Sequence, residues 1–113
     1  MSRHESAVRL LHMLEHSREA LAMIQGKTRS DLDTNRTLNL ALVRLLEIVA
    51  EAASRTPKEE RQNYPDIDWP QIGGLRNRLI HGYDFVDFDL LWQITNDDLP
   101  PLIAQLERIL HSK

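Results

Sequence analysis

Between Leu75 and Tyr83 the chain reads Leu-Arg-Asn-Arg-Leu-Ile-His-Gly-Tyr, the densest gathering of reactive polar groups in a setting otherwise marked by apolar neighbours. On a helix advancing about 100° per residue, Asn77 and His81 would share one side, and Arg76 and Tyr83 would be nearly eclipsed. Such a sector suits phosphodiester cleavage by transesterification. An imidazole moves protons near neutral pH, a guanidinium neutralises charge on the pentavalent phosphate, and Asn77 could hold the His81 ring in one tautomer. Spacing alone also fits plain surface charge near a helix end, and at this point both readings stay open.

Other candidates are weaker. Glu47 and Glu51 lie one turn apart, as in carboxylate-bridged metal bundles, yet such sites also use Glu-x-x-His, and the third residue after each glutamate is Ala50 or Ser54. The expectation is no metal site and polar pairing of Arg44 with Glu47 or Glu51. His12 and His16, also one turn apart, read as a solvated helix face. Trp69 and Trp92 could stack on bases but read better as core or interface packing. Arg55, Lys58 and Arg61 follow the long helix and would add phosphate contacts or mark a partner-facing surface if they were not simply solvated. The absence of cysteine removes thiolate nucleophiles and disulfides.

The elements that would carry these residues are helical. Ala7, Leu10, Leu11, Leu14, Leu21 and Ile24 recur at helical spacing from about Ser6 to Gln25, with Gly26 as the stop. After a polar link, Asp31 or Asp33 would cap a long helix ending near Ala53, its stripe built from Leu38, Leu42, Leu45, Val49 and Ala52. Thr56-Pro57-Lys58-Glu59 has the form of a capping box opening a short helix. Asp68 would cap the next helix, with Pro70 in its first turn and Ile72, Leu75, Leu79 and Ile80 along one side; Gly82 would loosen its end. A last helical region from Asp87 to about His111 would be bent or split at Pro100 and Pro101. No sustained period-two pattern calls for strands. The expectation is all-α, a bundle of about four to five helices in one domain spanning residues 1–113.

With 42% hydrophobic and 27% charged residues, the composition is that of an ordinary globular domain, and no apolar run approaches membrane-spanning length. The start carries Arg3, His4, Glu5 and Arg9 where a signal peptide would be apolar, so the cytoplasm is the expected location. A formal net charge of −3 argues against a broad basic surface for nucleic acid. Any nucleic-acid chemistry must therefore rely on a local cluster of cations, or on two copies of one.

The run from Gly74 to Tyr83 resembles the R-x4-H-x-Y signature of HepT-type HEPN toxins. The likeness continues on both sides: Arg44 to Ala53 is similar to the family's R-x-L-E-I-I-G-E-A, with Ala50 where glycine is usual. Tyr64 to Trp69 is similar to Y-P-x-I-x-W, and Leu91 to Pro100 to V-W-x-I-x-x-x-D-L-P. The resemblance implies a HEPN-type helical bundle, assembled as a homodimer and acting on RNA as a metal-independent endoribonuclease without cofactor. It implies Arg76 and His81 as catalytic residues with Asn77 in support. It also implies a partner, an MntA-type minimal nucleotidyltransferase antitoxin that transfers AMP to Tyr83. The alternative is a non-catalytic adaptor, the same bundle serving as the nucleotide-binding subunit of such a nucleotidyltransferase.

Overall fold

A computed structural model describes residues 3–81 and 85–111. Two long helices, α1 (Arg3–Met23) and α3 (Arg36–Ser54), lie along one another, and α8 (Leu99–His111) packs on α1. Their shared interior is filled by Leu10, Met13 and Leu14 from α1, Leu42, Leu46 and Val49 from α3, and Leu99, Leu102 and Leu106 from α8, all buried. These are the positions at three-and-four spacing, as an amphipathic stripe requires. No helix among the described residues is long and apolar enough to cross a membrane.

Gly26 ends the first helical passage with φ at 76°, a left-handed value that costs glycine least. The long helix begins differently from the sequence expectation. Neither Asp31 nor Asp33 caps it: residues Asp31–Thr34 form a separate short helix, α2, and the Asp31 carboxylate accepts the Thr28 N–H at 2.7 Å. Asn35 is the cap, its Oδ1 accepting the Leu38 N–H at 3.0 Å. One turn on, buried Asn39 donates to the Leu32 carbonyl at 3.0 Å and pins α2 to α3.

The expected capping box is likewise not formed. Thr56 is buried and its hydroxyl donates back to the Ala52 carbonyl at 2.9 Å, so it finishes α3 instead of starting α4 (Lys58–Arg61), which follows Pro57 without a side-chain cap. Arg61 bends back as well, giving Nε to the Thr56 carbonyl at 2.8 Å and Nη2 to the Ser54 carbonyl at 3.0 Å. It thereby satisfies carbonyls that a helix end leaves without partners.

Asp68 caps α5 (Trp69–Gly73) as the sequence suggests, accepting the Gln71 N–H at 3.1 Å, with Pro70 in the first turn. The helix is shorter than expected. It breaks at Gly74, resumes as α6 (Leu75–Leu79), and Ile80 is already extended at φ −109°, ψ 119°. Ile80–His81 (β1) pairs antiparallel with Phe85–Val86 (β2), Ile80 opposite Val86 and His81 opposite Phe85. No alternation announces this ribbon, because two residues per strand are too few to show one.

Asp87 closes the ribbon and opens the next helix. Its N–H donates to the Leu79 carbonyl at 2.9 Å, and its carboxylate accepts the Leu90 N–H at 3.0 Å at the start of α7 (Phe88–Gln93). The expected bend or split at the prolines is replaced by a π-helical turn, Ile94–Asp98, that joins α7 to α8. Leu99 donates its N–H to the carbonyl of Ile94, a five-residue step, so the chain widens before Pro100 and Pro101 enter the first turn of α8, where a missing N–H is tolerated. Replacing Asp87 with Ala should lower the urea midpoint by an amount equivalent to about 1 kcal/mol, with unchanged slope; an unshifted midpoint would mean the cap contributes nothing.

Candidate active site

The placement of α6 follows from its two leucines. Leu75 and Leu79, four apart, are both buried. With 100° per residue, Arg76 and Arg78 then fall on opposite flanks of the buried stripe and Asn77 points away from it. Arg76 and Asn77 are exposed and Arg78 is half-buried, in keeping with that geometry. The seat of this helix is set from below by α5, which approaches the end of α3 so closely that a Cβ on Gly73 would lie 3.1 Å from the Ser54 hydroxyl.

On its flank, Arg76 meets α3. Its Nε donates to Oε2 of Glu47 at 3.1 Å; the arginine side chain is 61% exposed and the glutamate 26%. The guanidinium is oriented from the protein side while most of it faces solvent. On the other flank, Nη1 of Arg78 is buried and has no hydrogen-bond partner among the described residues.

His81 is not on the helix. It stands two residues past the end of α6, on β1, exposed, with its ring against that of Phe85 at a centroid distance of 5.9 Å and an interplanar angle of 43°. The expected helical alignment of Asn77 with His81 therefore does not arise. Among the described residues Asn77 makes no hydrogen bond to the imidazole, and the neighbour that limits the ring is Phe85, itself 62% exposed. Tyr83 lies outside the described residues, so its expected alignment with Arg76 has no structural counterpart here.

The remaining candidates sort themselves by partner. Glu47 and Glu51 do not face a common point: the first binds Arg76 and the second binds Arg55 one turn along α3. Arg44, expected to pair with one of them, is exposed and makes no ion pair among the described residues. His16 donates Nδ1–H to the carbonyl of His12 at 2.6 Å, and the two rings meet edge to face at 6.1 Å. Trp69 is buried with its indole N–H on the Tyr64 carbonyl at 3.1 Å, and Trp92 is partly buried against the core. The strongly acidic depression lined by Asp66, Asp68, Asp97 and Asp98 contains neither Arg76 nor His81.

A family profile described as Ribonuclease HepT-like matches residues 13–109, a span that contains α3, α6 and both strands. The chain belongs to the HepT-like ribonuclease family. Among similar proteins, Probable ribonuclease HepT of Thermococcus cleftensis is 32% identical, covering 85% of this chain and 91% of its own. A Methanocaldococcus jannaschii protein, MJ1380, carries an RNase name and is 30% identical over 95% of this chain and 98% of its own length. TTE0752 of Caldanaerobacter subterraneus subsp. tengcongensis, also RNase-named, is 32% identical over 92% and 93%. No solved structure matches.

Two neighbours in the candidate site of this HepT-like chain have little local signal in the sequence. Glu47 is 29 residues from Arg76 and only the packing of α6 on α3 joins them. Phe85 follows His81 by four residues, and the β-forming residues Ile80 and Phe85-Val86 were the available signal for their meeting. Since the Arg76 side chain is 61% exposed, a double-mutant cycle with Arg76→Ala and Glu47→Gln should return a coupling of at most about 1 kcal/mol in chemical denaturation. A coupling several times larger would make the pair a support of the fold and not a holder of the guanidinium.

Proposed function

We propose that this HepT-like chain is an endoribonuclease that works without metal, the toxin of a toxin–antitoxin pair. The observation that carries the reading is the exposure, around the short helix α6, of a guanidinium oriented by Glu47 and an imidazole resting on Phe85. Membership in a ribonuclease family supplies the substrate class.

In the reaction, a 2′-hydroxyl of the RNA loses its proton to an imidazole as its oxygen attacks the adjacent phosphorus. The bond to the 5′-oxygen breaks, that oxygen takes a proton, and a 2′,3′-cyclic phosphate remains. His81 moves a proton and Arg76 balances the charge that builds on the phosphoryl oxygens. Asn77, fully outward on α6, is in reach of the same strand as a positioning group. One imidazole cannot be base and acid at once in a concerted step, and a chain with net charge −3 offers few cations per copy. Both needs are met by a homodimer in which His81 of the partner subunit completes a shared cleft.

An MntA-type nucleotidyltransferase would silence this site by joining the phosphorus of AMP to the phenol oxygen of Tyr83, with pyrophosphate leaving from ATP. The added phosphate is an anion competing with RNA for Arg76.

With a chelator present, the purified unmodified protein should cut cellular RNA and leave cyclic phosphate ends. His81→Ala and Arg76→Ala should each reduce the rate by about 10²- to 10⁴-fold without altering the circular dichroism spectrum. Full activity in both variants would remove these residues from the chemistry, and activity abolished by chelator would replace the mechanism. After co-expression with the cognate nucleotidyltransferase, intact mass should rise by adenylyl increments that map to Tyr83 and vanish in Tyr83→Phe. Silencing without a mass change would overturn that route of control.

A further inference from the structure

Along α3 and its C-terminal cap residue Arg55, the side chains of Leu40, Arg44, Glu47, Ile48, Glu51 and Arg55 fall within about a 100° sector of the helix surface. Toward α1 this sector opens into a groove of about 210 Å³ lined by Arg9 and His12 from α1 and by Arg44, Ile48, Glu51 and Arg55. Three guanidinium groups and an imidazole meet there against one carboxylate, and that carboxylate is already bound by Arg55. In a chain where acids outnumber bases by 17 to 14, the lining of this groove holds more bases than acids.

The groups are also held in place. Arg9 gives Nη1 to the backbone carbonyl of Arg55 at 2.6 Å, tying the N-terminal helix to the end of α3. Arg55 is fixed through Nε on Glu51. Arg44, exposed and in no ion pair among the described residues, supplies uncommitted charge to the lining. Apolar Ile48 and Ala52 complete the lining.

Position ties the groove to the candidate site. Glu47, the residue that orients Arg76, is one helical turn from Glu51 in the groove wall, about 6 Å along the axis. That is the scale on which phosphates succeed one another along a nucleic-acid strand. We propose that the α1–α3 groove is a phosphate subsite for the RNA, holding the backbone of the strand one or more nucleotides away from the bond cleaved at Arg76 and His81. The inference rests on the ribonuclease reading for its substrate. Its residues do no bond-breaking, so they act on binding of the strand.

The test uses the purified full chain and a fluorescein-labelled single-stranded oligoribonucleotide with 2′-O-methyl groups, which blocks the attacking hydroxyl and leaves binding alone to be read by anisotropy. Arg44→Glu should weaken binding by roughly tenfold at low salt and reduce the slope of log K against log salt by about 0.7 for each single-strand phosphate that is no longer neutralised. Arg44→Lys should keep most of the affinity. In cleavage of unmodified RNA, Arg44→Glu should raise KM with kcat retained. Arg18→Glu makes the same change in net charge on the opposite side of α1, where Arg18 pairs with Glu107 of α8, and should leave binding near the parent value.

Equal weakening by Arg18→Glu would reduce the effect to overall charge and overturn the subsite. So would unchanged binding by Arg44→Glu, or a shift in oligomeric state by light scattering with affinity for RNA preserved, which would make the groove an interface between copies. The two readings fail separately. A parent that cleaves RNA alongside indifferent Arg44 variants removes the subsite and keeps the ribonuclease, whereas Arg44-dependent binding without cleavage does the reverse. A parent that neither binds nor cleaves removes both.

Discussion

The close seating of α5 and α6 on the end of α3 is the constraint on which the rest of the site depends. The approach is tightest at Gly73, where a Cβ would lie 3.1 Å from the Ser54 hydroxyl and would have to displace it by a few tenths of an ångström, and it needs the end of α3 to be finished compactly. Thr56 and Arg61 do the finishing by covering the carbonyls of Ala52, Ser54 and Thr56. With that end closed, α5 can approach, Leu75 and Leu79 enter the core, and the flank of α6 bearing Arg76 is brought to Glu47. A polar network at the surface thus has its geometry set by apolar burial beneath it.

The early end of α6 has an equally direct consequence. Had the helix continued past Leu79, His81 would have followed the helical rotation and faced Asn77. Instead Ile80 turns extended and pairs with Val86, and the Asp87 N–H takes up the Leu79 carbonyl that the helix no longer uses. The imidazole is thereby moved from a helix face to a short ribbon, exposed except where Phe85 bounds it. Among the described residues a single ring contact restrains its orientation, and neither ring nitrogen is hydrogen-bonded.

The bundle and its stripes were readable because long amphipathic helices repeat their signal over several turns. Leu38, Leu42, Leu45 and Val49 could be assigned inward from spacing alone, and all four are buried. Asp68, a cap with proline two residues later, was readable for the same local reason. What was not legible lies at ends and junctions. Asn35 and the aspartates before it are all competent caps, and only the burial of Leu32 and the Asn39 bond to its carbonyl decide between them. Thr56 had the sequence form of a helix start, but its hydroxyl is closer to the preceding turn. The two-residue strands are set by tertiary closure between Leu79 and Asp87, and the Arg76–Glu47 pair spans 29 residues, beyond any local pattern.

Charge connects the fold to the chemistry. Averaged over the chain the charge is negative, which disfavours an RNA strand at long range, while screening confines that field to about 10 Å at ordinary salt. Inside that distance the arrangement of individual groups matters more than their sum. Along this side of α3 each glutamate is taken up by an arginine, Glu47 by Arg76 and Glu51 by Arg55, so the acids of this face cancel locally while Arg44, in no ion pair among the described residues, adds to it. The Arg55–Glu51 pair orients its guanidinium at little cost, because both partners remain largely in water, whereas Glu47 is mostly covered and holds a guanidinium that is itself largely exposed. An acidic chain in this way gathers arginines along one helix, and the same helix orients Arg76 through Glu47.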